Sequence, residues 1–99
     1  KLGKRLCQLS GLSNAFFCNS GAEAVEAAIK IARKYGNDQD IKNPKIIVME
    51  NSFHGRTLAA LSATGGEKAH KGFYPLIDGL LRVPYKSLCL VLLHGDVSF

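Results

Sequence analysis

The sequence predicts an α/β protein: a mostly parallel sheet with flanking helices. Short apolar runs at residues 15–18, 45–50 and 80–83 alternate with stretches of helical character, the β-α-β-α-β order that a parallel sheet with crossover helices requires. The run Lys45-Ile46-Ile47-Val48-Met49-Glu50 has a continuous apolar middle, as a parallel strand covered on both faces does. Two turns rich in small and polar residues, Asn19-Ser20-Gly21 and His54-Gly55-Arg56, follow apolar runs, where strand-end loops can share one ligand crevice.

Each element has its own local reason. Leu2, Leu6 and Leu9 fall at i, i+4 and i+7, so residues 1–10 read as the end of a helix that Gly11 stops. Residues 15–18 read as a brief strand from their position between Gly11 and Ser20 and from Phe16 and Phe17. From Gly21 to Tyr35, Ala22, Val25, Ile29 and Ala32 make one apolar face; Glu23, Glu26, Lys30 and Arg33 make a polar one. Glu26 stands four residues before Lys30, the favourable order for a helical ion pair. Acids open this helix, Arg33 and Lys34 close it, and Gly36-Asn37 is its expected stop. Pro44 bars helix before the strand at 45–50. Residues 57–63 read as a short helix ended by Gly65-Gly66, and Leu80 to Val83 as a third strand stopped by Pro84.

Bulk properties narrow the function. The 99 residues are 46% hydrophobic, enough for one modest domain or part of a larger one. No apolar run approaches the roughly 20 residues of a membrane span. No signal-peptide pattern opens the chain, and Lys1 is not an expected translation start. The net charge of +5 is spread along the chain instead of being clustered with aromatics, which argues against a nucleic-acid partner. It suits an anionic ligand, and equally suits an acidic remainder of a longer chain. Cys7, Cys18 and Cys89 are scattered and odd in number, as reduced thiols of a cytoplasmic protein would be. Neither they nor His54, His70 and His94 have metal-ligand spacing.

The two turns carry the chemistry. A serine-glycine turn opening a helix aims free N–H groups at an anion, often a phosphate. Gly21 and Ala22 are small enough for close backbone approach. Ser20-x-x-Glu23 is also a capping box, and the two readings are compatible. Neither a Walker A sequence nor G-x-G-x-x-G is present, so no nucleotide is indicated. Phe53 reads either as a core ring or as a cover for a flat cofactor. Arg56 reads either as a surface charge or as a bidentate clamp for a carboxylate. His54 reads more simply as a structural hydrogen-bonding residue than as a catalyst.

Phe16-Phe17-Cys18-Asn19-Ser20-Gly21-Ala22-Glu23-Ala24 with Ala27-Ala28-Ile29-Lys30-Ile31-Ala32-Arg33 closely resembles the class III aminotransferases that use pyridoxal 5'-phosphate. Ile47 to Leu58, spanning Asn51-Ser52-Phe53-His54-Gly55-Arg56-Thr57, and then Ser62-Ala63-Thr64-Gly65, Gly72-Phe73-Tyr74-Pro75-Leu76 and Val83-Pro84-Tyr85, resemble the acetylornithine/succinylornithine branch. The likeness covers roughly residues 5–85. It implies the large, cofactor-binding domain of a fold-type I protein over residues 1–85, in a homodimer. Ser20, Gly21 and Ala22 would hold the cofactor phosphate, Phe53 would stack on its ring, and Arg56 would bind the substrate α-carboxylate. The implied reaction passes the δ-amino group of N-acetylornithine to 2-oxoglutarate, in arginine biosynthesis. Its partners would be a small-molecule amino donor and a 2-oxo acid.

That chemistry requires a Schiff-base lysine and a carboxylate for the pyridinium nitrogen. The resemblance implies that both lie beyond residue 99, so no catalytic residue is assigned within the chain. Residues 86–99 do not resemble the expected continuation and read as a divergent tail, as a truncation, frameshift or misjoined gene model would produce. Alternatives are an ornithine- or 4-aminobutyrate-type class III enzyme, a non-catalytic truncated product, and a small nucleotide-binding α/β module. A partial sheet is also expected to expose an apolar edge and face. The purified chain is expected to show no transamination of N-acetylornithine with 2-oxoglutarate; glutamate formation in a coupled assay would contradict this.

Overall fold

The computed structural model describes residues 1–85. The elements run α1 (Leu2–Ser10), α2 (Gly21–Asp38), β1 (Ile46–Met49), α3 (Leu58–Ala63), α4 (Glu67–His70) and β2 (Leu80–Val83). The two strands pair in parallel, with Ile46 opposite Leu80 and Met49 opposite Val83. The ladder is extended at its ends by Ile46 N–H to Gly79 O and Glu50 N–H to Val83 O. The expected α/β class with a parallel sheet and flanking helices is therefore what forms. β1, α3, α4 and β2 make one β-α-β crossover, and α2 lies against it.

The core lies between α2, the sheet and α3. Ile29, Val48 and Ala63 are buried together, with Val25, Ile46, Ala59, Ile77 and Leu80 packed around them. The alternation seen in the sequence explains the choice: Val25 and Ile29 share one face of α2 at the i, i+4 spacing. The opposite end of the chain is less embedded. No residue of α1 is buried, and Leu2, Leu9, Phe16 and Phe17 are more than half exposed.

The structure corrects four expectations. Residues 15–18 form no strand. A strand needs a partner ladder, and among the described residues β1 and β2 pair only with each other. The helix begun at Gly21 does not stop at Gly36-Asn37 but runs to Asp38. Its stop is a Schellman motif: Asp40 takes a left-handed φ of 57°, Ile41 N–H donates to Gly36 O and Asp40 N–H to Asn37 O. The closing charge pair is Lys34 with Asp38 at 2.8 Å, not a basic last turn. Glu26 does not pair with Lys30, because its carboxylate is used by α3, as described below. The single-turn helix α4 had no counterpart in the sequence reading. The tail at 86–99 lies outside the described residues.

Gly36 can remain helical because it has no side chain. A Cβ there would lie 2.6 Å from Pro44 Cβ and 3.0 Å from Pro44 Cγ. In an open helix, Gly→Ala gains about 1 kcal/mol. Overpacking against a rigid proline ring costs about 1–3 kcal/mol. Gly36→Ala is therefore expected to lower the thermal unfolding midpoint measured by circular dichroism, against the trend of helix propensity.

Candidate functional site

The site is built from the bottom of α2 and the loop after β1. Ser20 is the N-cap of α2, in extended backbone, and its hydroxyl accepts from Glu23 N–H at 3.2 Å. Glu23 reaches back to Asn19 N–H at 3.0 Å, one residue earlier than an ideal capping box. The capping reading of Ser20-x-x-Glu23 is thus realised. It leaves the amides of Gly21 and Ala22 without an acceptor among the described residues. They stand at the positive end of an 18-residue helix.

The loop Asn51–Arg56 is held against this turn at one close contact. Gly55 has φ 133° and is buried. A Cβ on it would lie 2.8 Å from Ala22 Cβ and 3.0 Å from Ala60 Cβ. Only glycine combines that backbone angle with that approach. The structure therefore brings Ala22 and the loop bearing Phe53 and Arg56 together. Phe53 is 69% exposed, so it is not a core ring. Arg56 is exposed and makes no hydrogen bond or ion pair among the described residues. His54 is half-buried and uses its backbone N–H, donated to Thr64 Oγ1 at 2.9 Å.

Residues to which the sequence reading gave no part in the site fix this geometry. Glu26 Oε1 accepts from the Thr57 hydroxyl at 2.5 Å and from the amides of Ala59 at 3.1 Å and Ala60 at 3.2 Å. A carboxylate on α2 thus caps α3. At the other end of α3, His70 Nε2 lies 3.0 Å from Leu61 O and 2.6 Å from Thr64 O. Both partners are carbonyls, so Nε2 carries the proton. Arg82 from β2 donates to Ser62 O at 2.7 Å and Thr64 O at 3.1 Å. Gly65 sits so close to the Asn51 amide that a Cβ there would collide with it, and Gly65 N–H donates to Ser52 O at 2.7 Å. The Ser62-Ala63-Thr64-Gly65 stretch was visible as a motif, but no periodicity or spacing revealed that it is the shelf under the loop.

Among the described residues no group of three His, Cys, Asp or Glu side chains is placed to hold a metal ion. Among them too, no helix is long and apolar enough to cross a membrane.

Proteins of known sequence and structure share this chain's sequence and fold. The chain belongs to the class-III aminotransferase family, whose description matches residues 1–94. Within that family it is 64% identical over 88 residues to the acetylornithine aminotransferase of Nitrosomonas europaea, covering 89% of this chain and 22% of that protein. It is 54% identical over 89 residues to the acetylornithine aminotransferase of Methanocaldococcus jannaschii, covering 89% of this chain and 22% of that protein. Ornithine aminotransferase from Toxoplasma gondii superposes with a TM-score of 0.86 at 26% identity, over 93% of this chain and 22% of that one. The chain thus spans about a fifth of the length of these relatives.

The Thr57 hydroxyl bonded to Glu26 holds its carboxyl below the ordinary value of 4.5; partial burial opposes this, and the Ala60 and Ala59 amides reinforce it. Because the folded value lies below the unfolded one, the stabilisation is complete above pH 4.5 and is lost as the pH falls through the lowered value. Glu26→Ala is expected to cost about 1 kcal/mol near neutral pH, the usual worth of a helix cap. Unfolding midpoints of the two chains, measured across an acid titration, are expected to converge as the pH drops. A gap that is independent of pH would contradict the charge-based cap.

Proposed function

We propose that this chain contributes part of the pyridoxal-phosphate site of an acetylornithine aminotransferase, with residues 1–85 belonging to the cofactor-binding domain. The whole enzyme would move the δ-amino group of N-acetylornithine to 2-oxoglutarate, in arginine biosynthesis, as a cytoplasmic homodimer. The high identity to acetylornithine aminotransferases across most of the chain supports this branch over other class III amino donors.

One observation carries the reading: the contact of Gly55 on Ala22. It puts an anion-seeking helix start and a loop with an exposed ring and an exposed guanidinium side by side. The residues fit the cofactor. Gly21 and Ala22 have amides without acceptors among the described residues, and with the Ser20 turn they would hold its phosphate. Phe53, exposed at 69%, would lie on the flat face of the ring. Arg56 would grip the substrate α-carboxylate in a two-pronged hydrogen bond. When bound, pyridoxal phosphate supplies an electron sink for chemistry at the amino-bearing carbon. The work of these residues is to bind and orient. The helix end fixes one pole of the ligand, the ring face limits its tilt, and the guanidinium sets which end of the substrate enters.

A pyridoxal-phosphate titration followed by absorbance tests the reading. The chain is expected to bind saturably, and Phe53→Ala to bind about fivefold more weakly, from the lost ring contact. Arg56→Ala is expected to weaken 2-oxoglutarate binding by about tenfold, as for a lost charge-assisted pair. A wild-type chain that does not bind pyridoxal phosphate would overturn the assignment.

A further inference from the structure

We propose that Thr64 is a positioning residue of the site, its hydroxyl setting the backbone from which Phe53 and Arg56 project. The proposal rests on the cofactor reading above and assigns a role to a side chain that itself touches no ligand.

Thr64 is 3% exposed and lies just past the end of α3. Its Oγ1 accepts from His54 N–H at 2.9 Å and stands 3.2 Å from Gly55 O and 3.0 Å from Ala60 O. A hydroxyl has one proton and two lone pairs. It therefore accepts from His54 while donating to one of the two carbonyls. The Ala60 carbonyl is the ordinary back-bonding partner of a helix-end threonine. The His54 amide and the Gly55 carbonyl belong to the loop, so a single buried atom holds the first and stands within hydrogen-bond reach of the second.

Those two residues are the centre of the candidate tetrad. Phe53 precedes them and Arg56 follows them. Both flanking side chains are exposed, so packing does not orient them. Their direction is inherited from the backbone of His54 and Gly55. That backbone is fixed below by Thr64, laterally by Ala22, at its start by Gly65 N–H on Ser52 O, and at its far end by Thr57 on Glu26. Among these, Thr64 alone places one side-chain atom within hydrogen-bond distance of both His54 and Gly55. Removing its hydroxyl would leave the half-buried His54 amide without its acceptor and free the loop to relax. A shift of a fraction of an ångström suffices to misplace a preorganised binding group.

The Ser20–Ala22 turn makes no hydrogen bond to Thr64. The two halves of the site therefore respond differently, and this separates positioning from simple loss of structure. The test compares wild type, Thr64→Val and Thr64→Ser with two probes, pyridoxal phosphate and inorganic phosphate, with His54 amide hydrogen exchange measured alongside. For Thr64→Val the expected result is about tenfold weaker pyridoxal-phosphate binding, inorganic phosphate within about twofold of wild type, and faster exchange at His54. Thr64→Ser, which keeps the hydroxyl, is expected to restore pyridoxal phosphate to within about threefold. Unchanged pyridoxal-phosphate affinity in Thr64→Val would overturn the proposal. So would an equal loss of both probes that Thr64→Ser fails to rescue, since that pattern is structural. Faster His54 exchange in a chain whose wild type binds neither probe would retain the clamp but overturn its role in cofactor binding, a failure distinct from that of Thr64 alone.

Discussion

The short helix α3 is the constraint on which the rest of the structure depends. Six residues make too short a helix to persist alone. Its orphan backbone groups must be met from outside, and groups from three other elements meet them. Glu26 of α2 takes the amides at its start; His70 of α4 and Arg82 of β2 take the carbonyls at its end. A negative group at the amino end and a positive one at the carboxyl end also agree with the helix dipole. The helix is thus less an element in itself than the joint through which α2, α4 and β2 are locked together.

The candidate site is a consequence of that joint. With α3 fixed, Ala60 and Thr64 become a floor, and the loop after β1 has one way to lie upon it. Gly55 fits between Ala22 and Ala60, and Gly65 fits against Asn51, because neither carries a side chain. Asn51 takes a left-handed φ of 60° where the chain leaves β1, a conformation asparagine accepts more readily than most residues. The loop is polar and exposed at its tip yet buried at its base. That is how a strand-end segment can present a ring and a guanidinium to solvent while keeping their origins rigid.

Much of this was legible in the chain. The amphipathic period of α2, the apolar run of β1 and the glycine after α1 each have a local cause, and each element appears where that cause puts it. The Ser20 cap and the small residues beside it were legible for the same reason. What was illegible depended on partners distant in sequence. Glu26 looked like a solvated charge with Lys30 as its neighbour, but its ligands are 31 to 34 residues away. His70 and Arg82 carried no periodic or motif signal, because a cap for another element's carbonyls can come from anywhere in the chain. Residues 15–18 had strand-like composition, yet composition cannot supply the neighbouring ladder that a strand requires.

The sequence by itself determined the class of fold, the starts of its principal helix and strand, and the two segments that make up the candidate site. Those depend on interactions within a few residues, where propensity, capping and hydrophobic period act. Tertiary structure alone decided that the two segments meet, through the absent side chain of Gly55 against Ala22. It also decided that Glu26, Thr64, His70 and Arg82 are the groups holding them there. A buried backbone amide or carbonyl must find a partner, and which side chain provides it is settled only when the chain has folded.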